Sequence, residues 1–326
     1  LMASRTHPTR PSPVELFRAS DERIGGYRMW RDPGYARVRP TIYAPSTQWL
    51  ALKPWQRYLA RVHAYALVNP TAVFSHESAA ALLGLPTFGE ARYIHVFDAE
   101  RLGSVRYGDV AVHASLDARK IVSVGDHFAT GIAETVVDLA RVLPPAFGLA
   151  LVDAALATHL RIADLSELSA GQRSLRGRRV LDWACENGDE RSESPGESVS
   201  RAVIGWLGFQ VPDLQVEFRG SGYLDRVDFL WPEARAVGES DGYDKYFAEH
   251  SEESRERLVA EKQREGRLRR HGMHIARWDW AMAMRALPLG DCLHAAGVPL
   301  VTPPQRVMLQ TLRSHPRSFT PGERGA

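Results

Sequence analysis

Cysteine is nearly absent: the 326 residues hold two, Cys185 and Cys292, far apart in the chain. That excludes a disulfide framework and a cysteine-rich zinc site. It fits a reducing cytoplasm. Long apolar runs are also missing, both for a bilayer span and for the core of a signal peptide. A cytoplasmic protein without a membrane partner is therefore expected. An excess of one charge is lacking too. Forty-one Lys and Arg face 39 Asp and Glu, leaving +2. Any contact with nucleic acid must then come from a local patch and not from the overall balance. What remains is ordinary for a globular protein, at 44% hydrophobic and 25% charged residues. The length allows two or three domains with their own cores.

The most informative stretch is 225–246. Residues 225–231 alternate, which puts Val227, Phe229 and Trp231 on one face and Arg226, Asp228 and Leu230 on the other. Pro232–Arg235 offers a four-residue connection, and Ala236–Asp241 runs back. If Trp231 pairs with Ala236, Asp228 falls opposite Glu239, and Asp241 shares that face. Three like charges then crowd one patch of sheet, which is unfavourable. A divalent cation would relieve the conflict, and oxygen ligands suit Mg²⁺ or Mn²⁺. Lys245 follows the strand as a point charge able to hold a phosphate or help activate water. Carboxylates, metal and lysine are the parts needed to hydrolyse a phosphodiester. The plainer alternative is a hairpin whose acidic face simply meets water.

Asp228-Phe229 followed by Glu239-Ser240-Asp241-Gly242 resembles the core of the PD-(D/E)XK nuclease superfamily. The likeness is greatest to its very-short-patch-repair-endonuclease-like branch, which is common in actinobacteria. Arg264-Glu265, Leu268, Gly272 and Ile275-Ala276-Arg277-Trp278 match that branch's later pattern. The resemblance covers about 192–280. It implies an α/β fold, a restriction-endonuclease-like mixed sheet flanked by helices. It also implies metal-dependent cleavage of DNA, with Asp228 and Glu239 holding the metal. Asp241 completes or tunes that shell, in the place where many superfamily members carry the lysine. Lys245 then orients water or neutralises the scissile phosphate, and Lys262 is a second candidate for that role. Glu197 matches the acidic residue on the first helix of these nucleases. Its alternative is a helix cap, because Ser194, Pro195 and Glu197 also spell a capping box.

The rest of the chain frames this region. Residues 1–13 read as a disordered basic arm. Residues 36–45 read as a strand pair bearing Arg37 and Arg39, and Trp49–Val68 as a helix. Ser75 is the natural N-cap of a short helix stopped by Gly84 and Pro86. His76-Glu77 fails as a zinc-protease motif, because Ala80 stands where the second His belongs. Tyr93–Phe97 and Val110–His113 read as strands, and Thr130–Arg141, Phe147–Leu160 and Ala163–Asp182 as helical. The strand pair over 36–45 read as a wing, the Ser75-His76-Glu77-Ser78 helix and Glu134-Thr135-Val136-Val137-Asp138-Leu139-Ala140-Arg141 together resemble AbiEi-type abortive-infection antitoxins. That likeness implies an α/β region with a winged helix, here degenerate, and an operator or toxin-system partner.

Glu186–Ser194 is the expected boundary. It separates the antitoxin-like region, 14–185, from the nuclease-like domain, 190–300, and 301–326 reads as a loose tail. Between Arg255 and Arg277 eight Lys and Arg oppose three Glu. Lys262, Arg264, Arg267, Arg269 and Arg270 are thus candidates for contacting DNA phosphates. A surface helix laced with ion pairs is the alternative. The combined expectation is a metal-dependent DNA endonuclease. The alternative is a DNA-binding antitoxin or regulator whose nuclease-like domain does not cut.

Overall fold

A computed structural model describes residues 8–20, 29–220, 222–241, 252–313 and 315–319. The fold is α/β, with mixed sheets flanked by helices. In chain order the first elements are β1 (Phe17–Arg18), β2 (Tyr35–Arg39), β3 (Ile42–Pro45), α1 (Ser46–Ala51), α2 (Pro54–Val68), β4 (Val73–Phe74) and α3 (His76–Leu83). Next come β5 (Ile94–Phe97), β6 (Val105–Tyr107), β7 (Val110–His113), β8 (Ile121–Val124), β9 (His127–Thr130) and α4 (Ile132–Ala140). Then follow α5 (Pro145–Leu156), α6 (Ile162–Gly171), α7 (Arg178–Glu186) and α8 (Pro195–Leu207). The last elements are β10 (Asp213–Gly220), β11 (Tyr223–Trp231), β12 (Ala236–Asp241), α9 (Glu252–Arg270), β13 (His274–Asp279), α10 (Trp280–Arg285), α11 (Leu287–Ala295) and α12 (Arg306–Gln310).

Two compact units result. One comprises 1–143, 160–182 and 316–326; the other comprises 144–159 and 183–315. The division therefore does not fall at a single boundary near Glu186. Within the second unit α5 packs on α8, and buried Asp153 explains the attachment. Its carboxylate accepts from Arg201 at 2.7 Å and from the Asp189 amide at 2.8 Å. A buried carboxylate must be paired, so α5 stays with the helix that carries Arg201.

The first unit holds two sheets, ordered β1-β3-β2 and β6-β7-β5-β4-β9-β8. The β2–β3 hairpin is the expected strand pair. Arg39 on it pairs with Asp109, so that charge is already used. Ahead of β2 the described residues contain β1 and a single 3-10 turn, Met29–Arg31, and no α-helix. The expected helix over 49–68 is two helices, because Pro54 opens a new one at its first position, where its missing N–H costs nothing. The expected helix over 163–182 is also split. Gly177 has φ +71, and a Cβ there would lie 2.0 Å from the Arg141 carbonyl oxygen. The core gathers Tyr58, Val62, Phe74, Leu82, Ile94, Val112 and Ala129.

Described residues near either end of the sequence make defined contacts. The Arg10 amide donates to the Leu82 carbonyl at 3.2 Å, and His63 Nε2 lies 2.8 Å from the Arg10 carbonyl. Near the other end, Leu312 is buried, and Arg317 forms a two-pronged pair with Glu77. Composition alone suggested loose tails, but Arg10, Leu312 and Arg317 are held by these partners.

The second unit is built on one sheet, ordered β10-β11-β12-β13. Its pairs are antiparallel except β12 with β13, which are parallel and joined through α9. Phe229, Trp231 and Trp278 fill one face, with Phe229 and Trp278 ring centres 5.4 Å apart. The Trp278 indole N–H donates to Ser200 on α8 at 2.8 Å. Gly238 on β12 lies beneath these rings, where a Cβ would sit 2.6 Å from Trp278. The other face packs Val227, Val237 and Leu268 with Leu230 and Ile275. The described part of α9 covers that face through Leu268.

Candidate functional site

The hairpin has the expected register: Trp231 pairs with Ala236, Leu230 with Val237 and Phe229 with Gly238. There the ladder stops. Asp228 does not simply stand across from Glu239; its Oδ2 accepts the Ser240 amide at 3.0 Å. The cause lies on the other neighbour. Gln215 has φ +55, and it drops out between the pairs Leu214–Phe229 and Val216–Val227. Beyond this point β11 turns over. Phe229 and Trp231 pack with Trp278, whereas Val227 joins Val237 and Leu268 on the opposite face. The strict alternation expected for Val227, Phe229 and Trp231 is therefore broken at Asp228.

The expected crowding of three like charges is also corrected. Glu239 is buried, on the face covered by α9. Arg264 of α9 donates to Oε1, and Arg277 of β13 forms an ion pair with Oε2 at 2.8 Å. Arg264 also donates to the Arg226 carbonyl at 3.1 Å, and Glu261 pairs with both arginines. Burial pushes the Glu239 carboxyl up from its usual range, while Arg264 and Arg277 pull against it. These guanidiniums do what a cation would do for that carboxylate. Arg277 comes from the parallel pairing of Glu239 with Arg277 across β12 and β13. That pairing spans the whole of α9, so sequence spacing does not reveal it.

Asp241 is half-buried at the end of β12, level with Asp279 of β13. Asp279 is occupied as the N-cap of α10, accepting from the Met282 amide at 2.8 Å. Asp228 and Asp241 offer hard oxygen donors of the type Mg²⁺ or Mn²⁺ takes. Both Glu239 oxygens are already paired with arginine, so that side chain fits a cation only once Arg264 or Arg277 lets go. The three carboxylates do not form a compact ligand trio with atoms within 4.8 Å of one another. Lys245 lies outside the described residues.

Glu197 is buried in the first turn of α8. The Ser194 hydroxyl accepts from the Glu197 amide at 3.2 Å, which is half of the expected capping box. The Glu197 carboxylate instead accepts from the Glu193 amide at 2.9 Å and from the Gln215 side-chain amide at 2.8 Å. Glu197 thus holds Gln215, the residue that faces the break at Asp228. In the same turn a Cβ on Gly196 would lie 3.0 Å from the Ser240 hydroxyl. The start of α8 and the end of β12 are close neighbours.

The basic helix is mostly committed internally. Arg264 holds Glu239. Arg267 grips buried Asp225 with two bonds of 2.6 and 2.7 Å. Arg269 pairs with Glu265 at 2.6 Å. Lys262 and Arg270 are exposed. Of the five basic residues expected to meet DNA, three are spent at least partly on carboxylates. Sequence reasoning missed Asp225 and Arg277 as partners.

Among the described residues no helix is long and apolar enough to cross a membrane. The chain is similar to two uncharacterised proteins of Mycobacterium tuberculosis, from strain CDC 1551 / Oshkosh and strain ATCC 25618 / H37Rv. Each is 36% identical over 169 residues, covering 50% of this chain. The chain spans 59% of the length of these relatives. No family model matches, and no solved structure matches.

Proposed function

We propose that the second unit is a PD-(D/E)XK-type, metal-dependent endonuclease that hydrolyses DNA phosphodiesters. One observation carries this reading: Asp228 of β11 meets the Ser240 amide, between Glu239 and Asp241 of β12. The acidic residues of the motif therefore lie on neighbouring strands, where the pairing of β11 with β12 ends. Asp228 and Asp241 would hold Mg²⁺ or Mn²⁺, with Glu239 joining on release from its arginines. When bound, the metal lowers the pKa of water and stabilises charge on the leaving oxygen. Glu197 keeps Gln215 and the break in β11 in place. Lys262 and Arg270 are exposed and suited to backbone phosphates. The antitoxin-like first unit would direct the protein to DNA or to a toxin-system partner. Plasmid nicking by the full chain with Mg²⁺ or Mn²⁺, lost in Asp228→Asn and in Asp241→Asn, tests this reading.

The two arginines on Glu239 favour a second reading, in which the domain holds DNA without cutting it. A regulator of this kind binds one operator in the presence of a chelator and does so equally in Asp228→Asn. Nicking that needs metal and Asp228 excludes it.

A further inference from the structure

The first unit contains a side-chain cluster that the nuclease reading does not use. His76, His95 and His113 each present a ring nitrogen, and these atoms all lie within 4.8 Å of one another. They converge for topological reasons. β5 and β7 are parallel neighbours, with His95 level with Ala111, so His113 is two residues further along the same face. His76 begins α3, directly after β4, which is the other neighbour of β5.

We propose that His76, His95 and His113 form a three-histidine site for a first-row divalent transition metal, with Zn²⁺ the best match to imidazole ligands. His95 Nδ1 lies 2.8 Å from His113 Nε2. Its other nitrogen, Nε2, lies 3.2 Å from a Glu77 carboxylate oxygen. A carboxylate there accepts the Nε2–H and leaves Nδ1 as a bare lone pair. This carboxylate–histidine arrangement orients metal-bound imidazoles and raises their basicity. Glu77 is itself anchored by Arg317, with one contact at 2.6 Å.

The spacing brackets what a metal needs. Nitrogens bound at the usual zinc distance in a tetrahedron are about 3.4 Å apart. That separation lies between the observed 2.8 Å contact and the 4.8 Å limit. His76 must turn off the face of the His113 ring, whose centre is 3.9 Å away. Its backbone has φ +47, a left-handed conformation that a side chain bearing a Cβ adopts at a cost. Such strain gathers at ligand sites. His76 Nδ1 lies 3.2 Å from the Ser75 hydroxyl, which leaves Nε2 as the nitrogen to bind. His76 and His113 are half-buried.

The test uses the full chain, purified without a histidine tag and stripped with a chelator. Zn²⁺ is titrated by calorimetry, and Co²⁺ binding is followed by its visible spectrum. One equivalent of Zn²⁺ per chain is expected, with a Co²⁺ spectrum typical of nitrogen ligands. His76→Ala and His113→Ala each weaken zinc binding by at least about 100-fold. His113→Gln, which keeps most of the side-chain volume, serves as the folding control and also loses zinc. Absence of stoichiometric zinc in wild type overturns the site, as does zinc binding that survives both His76→Ala and His113→Ala. In either case the three rings are a hydrogen-bonded structural stack.

Discussion

Asp228 accepts the backbone amide of Ser240 at the point where the pairing of β11 with β12 ends. One carboxylate thus completes a sheet and stands where the nuclease reading needs a metal ligand. Substitution separates the two roles. Asp228→Asn keeps an oxygen that can accept from Ser240, so stability changes little. Asp228→Ala loses the bond and is less stable by about 1–2 kcal/mol. Urea unfolding of the three proteins measures the difference, and both variants are expected to lose nicking.

Glu239 is clamped from two elements, and the clamp is expected to be structural. Arg277→Ala leaves a buried carboxylate with one guanidinium and lowers stability by about 1–3 kcal/mol. If the clamp also holds Glu239 away from the metal, Arg277→Ala binds Mn²⁺ more tightly than wild type. Calorimetry on the same samples reads this out.

Asp225 provides a pH dependence of known sign. The hydrogen bonds from Arg267 hold its carboxyl below the usual carboxylate range. Its contribution to stability is complete above the unfolded value, about 3.9 for Asp. It is lost as pH falls through the lower, folded value. Wild type is therefore more stable than Asp225→Asn near neutrality, and the gap closes as the pH falls below the usual carboxylate range. Urea midpoints measured across that range check it.

Gly238 is fixed by the tryptophans above it. Gly238→Ala forces a methyl group to within 2.6 Å of Trp278 unless the ring moves. A loss of about 1–3 kcal/mol is expected, together with a change in tryptophan fluorescence. An unchanged unfolding midpoint would mean that β12 and Trp278 are further apart.

The hairpin was legible because local rules determine it. Alternation in β11, Pro232 in the connection and a four-residue turn leave one register, and Trp231 does pair with Ala236. β10 carries the same kind of pattern, Leu214, Val216 and Phe218. What was not legible is non-local. The irregularity at Gln215 needs Glu197, 18 positions earlier, to hold its amide. The arginines on Glu239 come from α9 and from a parallel strand beyond it. Charge spacing along α9 suggested a DNA-facing surface, but buried Asp225 and Glu239 claim Arg267 and Arg264 first. His95 and His113 carried no motif, because only the parallel pairing of β5 and β7 makes them neighbours.

The most direct test of the nuclease account is titration of Mn²⁺ into the full chain and into Asp228→Asn, with plasmid nicking followed on the same samples. The account predicts metal binding and nicking by wild type, and loss of both in Asp228→Asn while its unfolding midpoint is retained. Wild type that binds no Mn²⁺ and leaves the plasmid intact would contradict it.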